Sequence, residues 1–246
     1  MSELKLYKGV WTRPDSPCDS KMVKECLDNY KHFTFTPESR VLDLGGNIGA
    51  FGWMALKAGV LPKNYMVYEP DPENLLVLQK NNPDPHINIR QKVVTMSRER
   101  VLTFYKNESG NAACSGTATP VSERAKGHRK VRFDVANDYL PDVIEKFQPT
   151  HLKMDIEGGE HDWLVETKGI IPDYIQQFAL ELHGVHTTEF FDKECYVNLV
   201  KHFDFVHVEP NFGFVNENAE SWEFPNLGIK GKGALFGVDM FLRRKS

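Results

Sequence analysis

Val41-Leu42-Asp43-Leu44-Gly45-Gly46-Asn47-Ile48-Gly49 is an apolar run carrying one acid, broken by glycines and followed at once by further apolar residues. Val41, Leu42 and Leu44 suit a central strand, and the glycines let the backbone turn tightly and approach a ligand where a side chain would clash. Phe51, Met54, Ala55 and Leu56 then supply the inward stripe of a helix, with Gly59 placed to end it. Strand, glycine turn and helix in this order read as a nucleotide-cofactor loop. Its spacing is not that of a dinucleotide loop, Gly-x-Gly-x-x-Gly. Asp43 stands two residues before Gly45, and Gly46 and Gly49 do not fit the dinucleotide pattern.

Outward from this loop, strands and helices alternate. Before it, Trp11 to Pro17 is rich in turn residues, and Met22, Val23, Cys26, Leu27 and Tyr30 follow Asp19 or Ser20 at helical spacing. Residues 1–37 therefore read as a segment whose helix covers the cofactor edge of a sheet. After the loop, Tyr65-Met66-Val67-Tyr68-Glu69 is a short strand ending on an acid. Asp71 is then a helix cap with Pro72 at the first helical position and Leu75, Leu76 and Leu78 facing inward. A third strand fits Ile87 to Thr95. Residues 97–135 break the rhythm, with strands at Val101–Tyr105 and Val131–Val135 around a polar stretch, and read as an insertion or substrate region. A helix over Asp138–Phe147 leads to the strand His151–Asp155, and a turn and helix follow from Glu157 through Trp163 and Leu164. Further strands fit Phe178–Leu182, Phe205–Val208 and Ala234–Leu242, with a helix over Cys195–Phe203. This alternation predicts one α/β domain over 1–246, a parallel sheet wound on both faces. The last two strands are too close for another crossover, so the final one is expected to be antiparallel.

Composition bounds the function. The chain has 246 residues, 41% hydrophobic and 26% charged, ordinary for a globular protein. Its net charge of −4 speaks against broad electrostatic binding of nucleic acid. No run approaches the roughly 18 apolar residues of a membrane span, and Met1-Ser2-Glu3-Leu4-Lys5 carries no signal-peptide core. A cytoplasmic location is the expectation. Cys18, Cys26, Cys114 and Cys195 are scattered without a Cys-x-x-Cys pair, and read as buried or idle thiols.

In an open parallel sheet, ligands bind outside the carboxyl ends of the strands. Asp43, Glu69, Asp155 and Glu181 all fall at predicted strand ends and should crowd one edge. A single such acid is commonly a cap or a solvated turn; four beside one glycine loop read as a site. Asp-x-Gly-x-x-x-Gly resembles the first motif of S-adenosylmethionine-dependent methyltransferases. The whole set is narrower still: Val41–Gly49, Tyr68-Glu69-Pro70-Asp71-Pro72-Glu73-Asn74, Leu152-Lys153-Met154-Asp155-Ile156-Glu157-Gly158-Gly159-Glu160 and Leu180-Glu181-Leu182-His183 together resemble the FkbM family of S-adenosylmethionine-dependent O-methyltransferases, over roughly residues 38–185. The resemblance implies a Rossmann-like class I methyltransferase fold, a seven-stranded mostly parallel sheet with an antiparallel last strand, and methylation of a hydroxyl on a sugar, glycan or glycosylated metabolite. The chain has Gly46 and Gly159 where the family more often has alanine.

With S-adenosylmethionine as cofactor, roles follow. Glu69, with Pro70 and Asp71 behind it, can accept hydrogen bonds from both ribose hydroxyls. The backbone N–H groups of Gly45, Gly46, Asn47 and Gly49 favour the methionine carboxylate. Asp43 orients the loop or meets the amino group, and Thr95 and Met96 lie where adenine would be contacted, although core packing explains Met96 equally well. Methyl transfer to oxygen needs a base or a metal, because a neutral alcohol is a poor nucleophile. His183, Asp155 and Glu181 are the expected catalytic groups, with His183 as base and Asp155 as its orienter. The same three can hold Mg²⁺ or Mn²⁺. Glu157 and Glu160 read as helix-start acids meeting the helix dipole. The pair His183 and His186 lacks the third ligand zinc needs, Lys126-Gly-His-Arg-Lys130 reads as a solvated loop before a phosphate contact, and Trp11, Phe212, Phe214 and Trp222 as lid packing before a sugar wall. The competing functions are an NAD(P)-dependent reductase, which should carry the missing Gly-x-Gly-x-x-Gly, a non-catalytic cofactor-binding module, and a nucleic-acid methyltransferase, which should carry an Asn/Asp-Pro-Pro-aromatic motif.

Overall fold

The computed structural model describes residues 3–16, 18–107, 130–157, 159–183, 194–212, 221–224, 229–232 and 235–246. In chain order the elements are a hairpin of β1 (Lys5–Tyr7) and β2 (Val10–Thr12), α1 (Asp19–Asn29), β3 (Val41–Leu44), α2 (Ala50–Lys57), β4 (Tyr65–Tyr68), α3 (Pro72–Asn81), β5 (Asn88–Arg90), β6 (Val93–Thr95), β7 (Val101–Asn107) and β8 (Lys130–Tyr139). Then follow α4 (Leu140–Phe147), β9 (His151–Met154), α5 (Gly159–Glu166), β10 (Gln177–His183), α6 (Glu194–His202), β11 (Phe203–Phe212), a hairpin of β12 (Ser221–Phe224) and β13 (Ile229–Lys232), and β14 (Leu235–Arg244). The main sheet is seven-stranded, in the order β11-β14-β10-β9-β3-β4-β5. Its strands run parallel from β10 to β5, and β14 is antiparallel to both β10 and β11. This is the doubly wound sheet with an antiparallel last strand that the alternation predicts.

Strand pleating sorts the core into two layers. Leu42 and Leu44 of β3, Leu152 and Met154 of β9, and Phe178, Leu180 and Leu182 of β10 share one cluster with Leu140, Ile144, Trp163, Leu164, Cys195 and Leu199 of α4 to α6. Val41, Val67, Ala179 and Phe241 project to the other face and pack with Val23, Cys26, Phe51, Ala55, Val77 and Leu78 of α1 to α3. All four residues of β3 are buried, as a strand covered on both faces requires. Trp163 and Phe178 anchor the first layer edge to face, their ring centroids 5.7 Å apart.

Several local expectations change. The strand expected over Ile87–Thr95 divides: β5 stays on the main sheet, and β6 leaves to pair in parallel with the end of β8, in a separate sheet of order β6-β8-β7. Lys92, at the break, is pulled 2.7 Å from Asp138 on β8. The helix expected from Asp138 begins at Leu140, because Asn137 and Asp138 are held in β8 by bonds to Ser97, Glu99, Lys92 and Tyr68. On α3 the inward residues are Leu75, Val77 and Leu78, while Leu76 is half exposed. Asp19 lies inside α1 and does not cap it; its carboxylate is bound by the Arg13 backbone and guanidinium. Val10, Trp11 and Thr12 form a strand where turns are expected, tied to α3 through Asn81. The basic loop 126–129, Cys114, His186 and Phe214 lie outside the described residues.

Gly46 sits where the chain leaves β3, and a β-carbon there would stand 2.3 Å from Val67 Cγ2 and 2.8 Å from Leu78 Cδ1. The alanine commoner in the resembling family would overpack this core, at a cost of about 1–3 kcal/mol. Urea denaturation of Gly46→Ala should show that loss; unchanged stability would mean that the loop accommodates the methyl group.

Candidate active site

The glycine loop leaves β3 against its neighbours on both sides. Gly45 and Gly46 donate their N–H groups to the Tyr68 carbonyl at 3.1 and 2.8 Å. Asp155 N donates to the Leu44 carbonyl at 3.1 Å. Gly45 has φ +87°, and a β-carbon on it would collide with the Asp155 carbonyl oxygen. Asn47 also takes a positive φ, its side chain accepting from Ile48 N, before Gly49 opens α2.

Glu69, the first residue after β4, is buried beside this loop. Its carboxylate accepts from Asn47 N at 2.7 Å and from Asp71 N at 2.9 Å, so the turn after β3 and the turn after β4 share one acid. Burial pushes the Glu69 carboxyl up to about 8, against the pull of the backbone N–H groups of Asp71 and Asn47. Pro70 carries the chain to Asp71, which caps α3 by accepting from Glu73 N and pairs with Lys106 of β7 at 2.8 Å. Thr95 and Met96 are placed differently from these residues. The Thr95 hydroxyl is bonded to Asn137 and Ser97 N, and Met96 packs against the α4–α6 core layer.

Of the strand-end acids, Asp155 and Glu181 come together with His183, and pleating explains why. Glu181 lies opposite Asp239 in the register of β10 and β14, and Asp239 opposite Glu209 on β11. Asp155 follows β9 in the same alternation, so these acids form a row one step beyond the apolar residues Ala179 and Phe241. The α1 helix covers this row. Asn29 Nδ2 donates to Asp239 at 2.8 Å, and the Tyr30 ring lies 5.7 Å from the Lys153 ammonium. Asp43 is fully buried beneath the loop, its carboxylate receiving the Tyr65 hydroxyl at 2.5 Å and facing Lys153 at 3.2 Å.

His183 stands at the end of β10 among four carboxylates. Its Nε2 is 3.2 Å from Glu181, 3.6 Å from Glu157 and 4.0 Å from Asp155, and its Nδ1 is 3.3 Å from Glu160. Glu181 and Glu160 are thus the acids nearest the two ring nitrogens, with Asp155 farther off. Glu160 is itself fully buried and fixed by accepting from Ile156 N at 2.5 Å. Burial lowers the His183 pKa, but Glu181, Glu160 and Glu157 outweigh it and hold the imidazole well above its ordinary value. Burial raises Glu157 and Glu181, each pushed further by the neighbouring Asp155 and partly offset by His183. Asp155, Glu181 and His183 offer ligand atoms all within 4.8 Å of one another, a mixed oxygen and imidazole set compatible with Mg²⁺ or Mn²⁺.

The model of the methyltransferase FkbM domain matches residues 43–220. Among solved structures, the FkbM methyltransferase of Methylobacillus flagellatus KT is 16% identical with a TM-score of 0.44, over 85% of this chain and 45% of that one. A dimethyladenosine transferase from Plasmodium falciparum is 9% identical with a TM-score of 0.44, over 96% of this chain and 63% of that one. The C-terminal domain of precorrin-6Y C5,15-methyltransferase from Rhodobacter capsulatus is 11% identical with a TM-score of 0.40, over 92% and 90%. A search of the curated proteins gives no match. The NAD(P)-dependent reductase is thereby set aside: a chain whose glycine loop, strand-end acids and Lys-x-Asp-x-Glu-Gly run fall within that matched domain belongs to the FkbM family of S-adenosylmethionine-dependent methyltransferases.

Proposed function

We propose that the chain transfers a methyl group from S-adenosylmethionine to a hydroxyl of a sugar, glycan or glycosylated metabolite, as a single domain in the cytoplasm. The observation that carries the reading is the cluster of Asp155, Glu181 and His183 beside the glycine loop. The residues on the loop side suit the cofactor. Glu69 presents a buried carboxylate, already oriented by two backbone N–H groups, to the ribose hydroxyls. The N–H groups of Gly45 to Gly49, expected to meet the methionine carboxylate, are instead taken by Tyr68, Glu69, Asn47 and Gly46, which leaves the start of α2 to favour that carboxylate. Bound S-adenosylmethionine supplies an electrophilic methyl group.

The acceptor hydroxyl must lie in line with that methyl, and such positioning supplies much of the catalysis. On the acid side, a carboxylate oxygen of Glu181 or Asp155 accepts the hydroxyl hydrogen bond and takes the proton as the oxygen attacks. The methyl–sulfur bond breaks as the new bond to oxygen forms, S-adenosylhomocysteine leaves, and His183 beside Glu181 offsets part of the charge of the carboxylates. The raised pKa of His183 favours its protonated form, which moves the role of base from the imidazole to a neighbouring carboxylate. Carboxylates lining the site also favour a polyhydroxyl acceptor, whose donors match them, over the phosphates of a nucleic acid. The excess of negative charge around one imidazole supports a second form of the same chemistry. Asp155, Glu181 and His183 would hold Mg²⁺ or Mn²⁺, which lowers the pKa of a bound hydroxyl.

Incubation with labelled S-adenosylmethionine and a panel of mono- and oligosaccharides should label a saccharide, and EDTA should suppress the labelling where the cation takes part. Label entering an RNA substrate and no saccharide would reject the acceptor class. His183→Ala should lower transfer by about 10²–10⁴-fold with S-adenosylhomocysteine binding retained; full activity would remove His183 from the reaction.

Glu69 supplies a pH test. Its folded-state pKa of about 8 lies above the ordinary carboxylate value of 4.5, so the folded state holds the proton more tightly. The stability this contributes is present in acid and lost as pH rises through that window. Glu69→Gln should flatten the fall in stability between those two pH values, as read by urea denaturation at stepped pH, and weaken S-adenosylhomocysteine binding. Parallel pH profiles for the two proteins would contradict the assignment.

A further inference from the structure

Lys153 occupies a position that strand physics disfavours. It lies in the middle of the sheet, between Asp43 of β3 and Ala179 of β10, on the face where Val67, Ala179 and Phe241 are apolar, and it is only 3% exposed. An ammonium group has three donors, and three kinds of acceptor surround this one. The Gly45 carbonyl accepts at 2.6 Å, with the Leu44 carbonyl beyond it at 3.5 Å. Asp43 Oδ1 stands at 3.2 Å and Asp155 Oδ2 at 3.6 Å. The other oxygen of Asp155 faces His183, and the other oxygen of Asp43 holds the Tyr65 hydroxyl.

Burying such an ion group is weak evidence for stability, since well-packed apolar side chains of similar volume commonly serve as well or better. What the ammonium does that an apolar chain cannot is hold one loop carbonyl and two carboxylates of different strands around a single point. We propose that Lys153 is a positioning residue for the methyl-transfer site, fixing the glycine loop through the Gly45 carbonyl and aiming the Asp155 carboxylate at the acid and histidine cluster. The loop that receives the cofactor and the acid that faces the acceptor are then set by one buried group. The inference rests on the loop's role in binding S-adenosylmethionine.

Stability and positioning separate in a paired substitution. Lys153→Met alone leaves Asp43 buried without its countercharge and should lose stability. Lys153→Met combined with Asp43→Asn removes both charges and should recover a thermal midpoint close to the parent. S-adenosylhomocysteine binding is then measured by titration calorimetry on the parent protein, the double variant and Lys153→Gln, which keeps one donor for the Gly45 carbonyl. The expected result, with Asp43→Asn alone measured as the reference for the part Asp43 plays, is at least a tenfold loss of affinity in the double variant relative to that reference at matched stability, and a smaller loss in Lys153→Gln. Affinity within twofold of Asp43→Asn in the folded double variant, or of the parent in folded Lys153→Gln, overturns the positioning role. A parent protein that binds no S-adenosylhomocysteine overturns the cofactor role of the loop instead, and the inference with it.

Discussion

At Gly45 the backbone turns out of β3 so close to the Asp155 carbonyl that only a hydrogen atom fits between them. That contact, with the hydrogen bond from Asp155 N to the Leu44 carbonyl, locks the turns after two neighbouring strands into one piece. The glycine loop and Asp155 are thereby in direct backbone contact, each part of the wall of the other. Sheet order does the rest. With β4 on one side of this pair and β10 and β14 on the other, Glu69 falls beside the loop, and Glu181 and Asp239 fall beside Asp155.

The change from core to site happens within one pleat. Along β9 and β10, Ala179 lies in the apolar layer, and two residues later Glu181 enters the acid row. Such a sharp boundary keeps carboxylates in a low-dielectric setting, where their mutual repulsion and their pull on His183 are large. Second contacts relieve the strain of gathering them. Glu160 takes a backbone N–H, Asp239 takes the Asn29 amide, and Glu69 takes two backbone N–H groups. Each acid is thereby aimed as well as neutralised in part. The α1 helix closes the arrangement, its end residues Asn29 and Tyr30 lying over Asp239 and Lys153.

Much of this was readable in the sequence for a simple reason: in a parallel sheet, the last residue of every strand points to the same edge. Asp43, Glu69, Asp155 and Glu181 could therefore be grouped without knowing strand order. Asp239 escaped that rule because β14 runs the other way, so its contribution to the edge comes from the body of the strand. Glu160 escaped because an acid near a helix start already has a sufficient local explanation, and only the fold brings His183 beside it. Lys153 looked like one residue of a family motif; beside Asp155, its partners Asp43 and the Gly45 carbonyl lie on a different strand and in the loop beyond, which no spacing along β9 reveals. The division of the expected third strand depended on Lys92 finding Asp138, a pairing across a long stretch of chain.

The antiparallel β14 also orders the assembly of the sheet. It lies between β10 and β11, two strands that precede it in the chain. Residues 203–212 therefore have no place on the sheet until residues 235–244 have arrived, and loop closure must come before the pairing that rewards it. The half of the sheet from β9 to β5 is under no such condition. In this strand order Asp239 meets Glu181 and Glu209 only when the last strand arrives, while the glycine loop and Glu69 draw on strands that come earlier in the chain.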